Sequence, residues 1–354
     1  MDRRPSSWVH LAALALALTL AGVLCAVAMV EVGARAISGN WTESFLERTR
    51  GLLKSAYPAS YDAELGWIPK AGFSAHRNPW RTQVTITAAG LRANGPGDPP
   101  DDGRPILAVG DSFTFGDEVA DTETWPSHLE RTLRRPVLNA GVFGYGVDQI
   151  VLRARKLAHR LRPEWVIASF TPHDVSRCEL SEFGAAKPYF YFEDGQLRPG
   201  HQPVPPSRPM APDGFRMVLG HSFVAHTVLK RIAPHYWLEG GPRTIRVHGD
   251  GRRVATHLLR ALADDLTANG IRLLVVAQGE RGLTVKQRAI AAEIMEGLNR
   301  SAAVLLDLHG PLAELQARDG ARFKAFYRQH MTGAGNAFVA DRIAEAIRRA
   351  DTAP

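Results

Sequence analysis

A chain of 354 residues has room for one large domain or two small ones, and 45% hydrophobic with 22% charged residues excludes a mainly disordered protein. Its two cysteines exclude a disulfide scaffold and a Cys-rich zinc or iron–sulfur site. The 43 Lys and Arg against 36 Asp and Glu leave a net charge of +7, but the bases are dispersed and form no nucleic-acid-type run, so no nucleic acid is expected as a partner.

Leu11 to Val30 is an unbroken apolar run whose only polar side chain is Thr19. At ~1.5 Å per residue, about 20 residues cover the ~30 Å of a bilayer's hydrocarbon. Arg3 and Arg4 precede the run with no acid after Asp2, so residues 1–10 are expected as a short cytoplasmic tail and the remainder as exported. A cleaved signal peptide has an apolar core of only ~7–15 residues. An uncleaved anchor over 11–30 is therefore expected, although Ala34-Arg35-Ala36 offers a cleavage site. Leu24 before Cys25 is too bulky for a lipoprotein signal, and Cys178 reads as a buried bystander.

Residues 31–103 read as a juxtamembrane stem and linker. Glu43 to Lys54 has helical character, Gln83 to Thr87 alternates as a short strand, and Asn94 to Gly103 carries three Pro and three Gly. Asn40-Trp41-Thr42 matches a glycosylation sequon. A domain over 104–350 follows. Apolar runs at Pro105–Val109, Val137–Asn139, Glu164–Phe170, Ile271–Ala277 and Ala302–Leu308 predict strands. Between and after them, Trp125–Leu133, Gln149–Leu161, Arg253–Asn269, Thr284–Asn299 and Gly335–Arg349 have helical spacing. The alternation predicts an α/β fold, a mostly parallel sheet covered by helices on both faces. Residues 178–251, rich in Pro, Gly and aromatics, break it and are expected as an insertion or lid. Tyr189 to Phe192 would pack that insertion or offer an aromatic platform to a sugar.

The chemistry-bearing residues gather at strand ends, where an open parallel sheet places its ligands. Gly110-Asp111-Ser112-Phe113-Thr114-Phe115-Gly116 follows the first strand and exposes a serine in the strand-to-helix turn. Asn139-Ala140-Gly141-Val142-Phe143-Gly144 follows the second, and its glycines allow backbone amides to approach a substrate. His173-Asp174-Val175 follows the third, and His330 precedes the last helix. Nucleophile, amide donors and base thus come to one edge, as a serine hydrolase requires. No HExxH pattern or tight His/Asp cluster occurs, so neither a metal nor any other cofactor is expected.

These four segments resemble the blocks of the SGNH (GDSL-type) hydrolases over about residues 104–350. Upstream, YDAELGWIPKAG and VTITAAGLRAN resemble the stem of membrane-anchored bacterial members. The resemblance implies a flavodoxin-like three-layer sandwich and a site in which Ser112 is the nucleophile and His330 the general base. It gives the oxyanion hole the N–H groups of Ser112 and Gly144, and Asp111 a bracing role. It also implies an acylated small molecule or polysaccharide as substrate, on the periplasmic or extracellular side of the cytoplasmic membrane.

Two positions depart from the family pattern. His173 stands where the family has an Asn that donates to the oxyanion, and is either a substitute donor or a structural residue. Tyr327 stands where the family has the Asp that orients the histidine. His330 then works in a dyad, or another carboxylate substitutes, Asp307 being the preferred candidate, or the site is weakened. Ester hydrolysis through an acyl-enzyme on Ser112 is the leading expectation. Acyl transfer to an envelope polysaccharide at the same site, or carbohydrate binding without catalysis, are the alternatives.

Overall fold

The apolar run at the N-terminus lies within a single helix, α1 (Ser7–Ser38). The computed structural model describes residues 7–39, 41, 57–76, 80–97, 103–206, 214–237 and 244–352. The helix predicted over Glu43–Lys54, the sequon residues Asn40 and Thr42, and residues 1–6 of the expected tail lie outside the described residues. Two units form: residues 1–51 with 208–242, and residues 52–207 with 243–354.

In the first unit, the stretch His10–Ser38 reaches a mean hydropathy of 2.5 and is long and apolar enough to cross a membrane. Three short helices, Gly214–Leu219, Phe223–Ile232 and Pro234–Trp237, complete the unit. Buried Trp237 is packed by Leu219 and Leu229, and its indole N–H donates to His226 Nδ1 at 3.0 Å.

The second unit is built on five parallel strands: β1 (Ile106–Val109), β2 (Val137–Asn139), β3 (Trp165–Phe170), β4 (Arg272–Ala277) and β5 (Val304–Asp307). Their spatial order is β2-β1-β3-β4-β5, with Ala108 beside Ile167 and Val276 beside Leu306. This is the doubly wound order whose ligand crevice opens at the carboxyl ends of β1 and β3. All residues of β1 and β3 are buried, so their sequences run continuously apolar rather than alternating.

Helices α2 (Ser112–Phe115), α3 (Trp125–Leu133), α4 (Val147–Leu161), α5 (Pro172–Arg177), α6 (Gly251–Ala268), α7 (Val285–Leu298), α8 (His309–Arg318) and α9 (Gly333–Thr352) follow or connect the strands. One apolar layer joins α4, α6 and α7 to the sheet, and the other joins α3, α8 and α9. Thr124 caps α3, its hydroxyl accepting from Ser127 N, with Pro126 in the first turn.

Of the segment expected to be a stem, residues 31–51 fall in the first unit and the remainder in this one. Leu65, Trp67, Val84, Ile86 and Leu91 belong to the first apolar layer. Trp67 Nε1 donates to Phe143 O (3.0 Å) and Tyr145 Oη donates back to Trp67 O (2.6 Å). Part of the Gly and Pro punctuation of this stretch marks turns of short hairpins, such as Ala59–Asp62 with Gly66–Pro69, while residues 98–102 of the expected linker lie outside the described residues.

The expected insertion is divided as well. Tyr189–Glu193 and Gln196–Gly200 form a hairpin closed by Asp194-Gly195, both at positive φ, the geometry of a type I′ turn. Leu180–Phe183 pairs with Thr244–Arg246, while residues 208–242 leave for the first unit. A fully buried ion pair, Lys187 Nζ to Asp148 Oδ2 at 2.5 Å, fixes the root of the hairpin to α4.

Candidate active site

β1 ends at Val109, and Gly110-Asp111 turn the chain into the four-residue helix α2, which Ser112 opens. Asp111 caps it, its Oδ1 accepting from Phe113 N at 2.9 Å. Arg177 Nη1 lies 3.6 Å from the Asp111 carboxylate and 2.5 Å from Asp174 Oδ1, so both acids of the motifs brace the turn. Burial pushes the carboxyls of Asp111 and Asp174 up from the usual range. The β2 motif packs on α2 so closely that a Cβ at Gly141 would stand 2.3 Å from Phe115 N. Only glycine fits there.

The structure brings Ser112 and His330 together. Ser112 Oγ is 3.0 Å from His330 Nε2, although 218 positions separate them in the chain. The His330 ring rests against the Phe113 ring at 5.2 Å between centroids. Asn336, in the first turn of α9, fixes the His330 loop. Its Nδ2 donates to Met331 O and Thr332 O, and its Oδ1 accepts from Trp125 N.

Tyr327 has no part in orienting the histidine. Its ring is buried against Phe323, and its hydroxyl donates to Gly279 O at 3.1 Å. Asp307, the expected substitute, does not face His330 either. Its Oδ1 accepts from His309 N (2.9 Å) and pairs with His309 Nδ1 (2.6 Å), a partner two residues away that claims the carboxylate first.

The acid beside His330 is Glu118, which sequence reasoning missed. Glu118 Oε2 accepts from His330 N at 3.0 Å, and Oε1 stands 3.8 Å from Nδ1, the imidazole nitrogen opposite Ser112. That nitrogen has no hydrogen-bond partner among the described residues. Asp117 lies 3.9 Å from Nε2, and its burial raises its carboxyl well above the ordinary range. Glu118 sits at φ +69, in the left-handed region that a glutamate rarely adopts.

Arg92 holds that backbone in place. Its guanidinium is fully buried, pairs with Asp121 at 3.0 Å, and donates to the carbonyls of Phe115, Gly116 and Val119. The only sequence signal for Glu118 is an acidic pair directly after the first motif. Nothing local connects it to a histidine 212 positions away.

The oxyanion donors differ in their standing. Among the described residues, neither the Ser112 nor the Gly144 N–H finds a protein acceptor. Gly144 lies at φ +75 in the turn after β2. His173 is engaged elsewhere: Nδ1 pairs with Glu280 Oε2 at 2.7 Å, and Nε2 meets Gln287 Nε2 at 3.2 Å. The hydrogen bond to the Glu280 carboxylate raises the His173 pKa, and the imidazole ties α5 to the segment before α7 and to its first turn. Cys178 is buried, its thiol pushed well up by burial. Among the described residues, no group of three or more His, Cys, Asp and Glu side chains converges to hold a metal ion.

No protein-family model matches the chain, and no curated protein matches it in sequence. Solved structures do align with it. A lipolytic protein of the G-D-S-L family from Desulfitobacterium hafniense is 12% identical, covering 69% of this chain and 99% of its own, at a TM-score of 0.42. A lipase/acylhydrolase from Enterococcus faecalis is 12% identical, over 70% of this chain and 96% of its own, also at 0.42. A catalytic mutant of an acetylxylan esterase from Geobacillus stearothermophilus is 12% identical, over 70% and 94%, at 0.39.

Proposed function

We propose that this chain is a membrane-anchored serine hydrolase that cleaves an ester, removing an acyl group such as acetyl from a carbohydrate. The observation that carries this reading is the 3.0 Å contact between Ser112 Oγ and His330 Nε2 at the carboxyl edge of a parallel sheet. The helix α1 and the motif resemblance support an ester borne on an envelope polymer outside the cytoplasmic membrane.

Ser112 Oγ attacks the acyl carbonyl while its proton passes to His330 Nε2. The oxyanion of the tetrahedral intermediate accepts from the N–H groups of Ser112 and Gly144. On collapse the alcohol leaves with the proton of His330, and the acyl group remains on Ser112. Water then gives a proton to His330 and attacks the acyl-enzyme, releasing the acid and restoring the serine. Glu118 holds the His330 loop through the backbone N–H and sets a negative charge beside the imidazolium that forms twice per cycle.

Fluorophosphonate labelling of the full chain in detergent tests the reading, with Ser112→Ala and His330→Ala beside it. Labelling of the wild type that disappears in both variants is expected. A folded wild type that does not label overturns it. Release of free acetate from acetylated glycans, rather than its appearance on an added sugar acceptor, distinguishes hydrolysis from acyl transfer.

A further inference from the structure

Within the expected insertion or lid over 178–251, residues 214–237 belong to the unit of α1 and are clasped to the C-terminal part of that helix. Glu31 is the first charged residue after the apolar run. Its carboxylate accepts from Ser222 Oγ (2.8 Å), Phe223 N (2.6 Å) and Val224 N (3.1 Å), so it caps the helix Phe223–Ile232. One turn further along α1, Arg35 pairs with Glu31 and donates through Nη2 to His221 O at 2.7 Å. The clasp fixes this segment at the level where the hydrocarbon of a bilayer would end.

The segment exposes apolar side chains on a scale found nowhere in the second unit. Phe215 is 64%, Val218 70% and Ile232 71% exposed, and Met217, Val228 and Tyr236 are about half exposed. Among the described residues of the second unit, only Tyr61, Val247 and Val285 are large hydrophobics so exposed.

The helix Phe223–Ile232 shows the reason. His226 and Leu229 face the packed Trp237, while Val228 and Ile232, one turn apart, form a second apolar stripe that is 47% and 71% exposed among the described residues. Arg231 lies beside that stripe on the helix, where it can reach lipid phosphates, whereas Lys230 lies on the opposite side. An apolar face with a flanking base, held at the end of a helix long and apolar enough to cross a membrane, fits the headgroup–acyl boundary.

We propose that residues 214–237 form an interfacial platform, buried by its exposed apolar side chains in the outer surface of the lipid bilayer. The proposal rests on the reading of α1 as a membrane anchor. A second copy of the chain would be the competing occupant.

The test uses the full chain in nanodiscs of phosphatidylethanolamine and phosphatidylglycerol, with Cys25→Ser to remove the exposed thiol. An environment-sensitive dye is attached in turn through Val218→Cys, Ile232→Cys, Leu18→Cys in α1, and Val285→Cys in the second unit. Dyes at 218, 232 and 18 should lose most of their emission in lipids with brominated acyl chains and none to iodide, and the dye at 285 should do the reverse. Iodide quenching at 218 and 232 with lipid quenching at 18 overturns the platform and leaves the anchor standing. Iodide quenching at 18 overturns the anchor reading itself. Shielding of 218 and 232 from both quenchers means that protein covers the patch, and also overturns the proposal.

Discussion

Glu118 acts on His330 at two points, and a single atom change separates them. Glu118→Gln keeps an oxygen to accept the His330 N–H at its present 3.0 Å and removes only the charge 3.8 Å from Nδ1. With no direct hydrogen bond to the ring, the loss should be smaller than for a triad aspartate. Turnover is expected to fall about 10- to 100-fold, with KM and the unfolding midpoint unchanged. Steady-state kinetics on a chromogenic ester, beside urea unfolding, checks this. An unchanged kcat would make Glu118 a brace of the loop and nothing more. The Ser112 and His330 segments stood out in the sequence through their places at strand and helix boundaries and their resemblance to the family blocks, and the fold joins the two side chains at 3.0 Å. Glu118 did not stand out, since its relation to His330 exists only after the chain has folded. Asp307 looked suitable from its place at the end of a strand, but position cannot show that His309, two residues on, takes its carboxylate. The His173 substitution was visible, and its engagement by Glu280 and Gln287 was not.

At the scale of elements, the loop after α2 depends on one side chain from a distant part of the chain. Arg92 is 2% exposed, and its guanidinium binds Asp121 and three carbonyls of residues 115–119. Arg92→Met would leave Asp121 buried without its partner. A loss of about 3–5 kcal/mol is expected for breaking such a pair. The same variant should lose activity more steeply than its stability alone explains, because the left-handed backbone of Glu118 is no longer held. Urea unfolding and ester hydrolysis measured side by side decide it, and full activity in a destabilised Arg92→Met would sink the bracing role. The sheet was readable element by element, since strands covered on both faces appear as short continuous apolar runs. Of the short strands around Trp67 and Arg92 only Val84–Thr85 showed, within the alternation of Gln83 to Thr87, because Ala59–Asp62, Gly66–Pro69 and Ser74–Ala75 are too short to display a period. Asp194-Gly195 was the one turn signal within the insertion that could have revealed its hairpin.

At the scale of the molecule, the boundaries of folding do not coincide with the motifs. A chain beginning at residue 104 contains Ser112, Gly144 and His330, yet it lacks Leu65, Trp67, Val84, Ile86 and Leu91 from one apolar layer. It also lacks Arg92. Such a chain is expected to show no cooperative unfolding transition, whereas one beginning at residue 57 retains it. Near-UV circular dichroism on heating distinguishes the two, and a sharp melt of the shorter chain would contradict the integration of residues 57–97. The division of the insertion also sets how the sheet is joined to α1. The backbone passes between the two units three times, near residues 51, 207 and 242. A protease that cuts only the first crossing separates α1 from the sheet in sequence but leaves the other two passages intact. Through them the sheet stays covalently joined to the segment that Glu31 and Arg35 clasp. A chain nicked there stays joined to α1 only through the hydrogen bonds of Glu31 and Arg35, so parting the sheet from α1 then takes the opening of that clasp or further cuts.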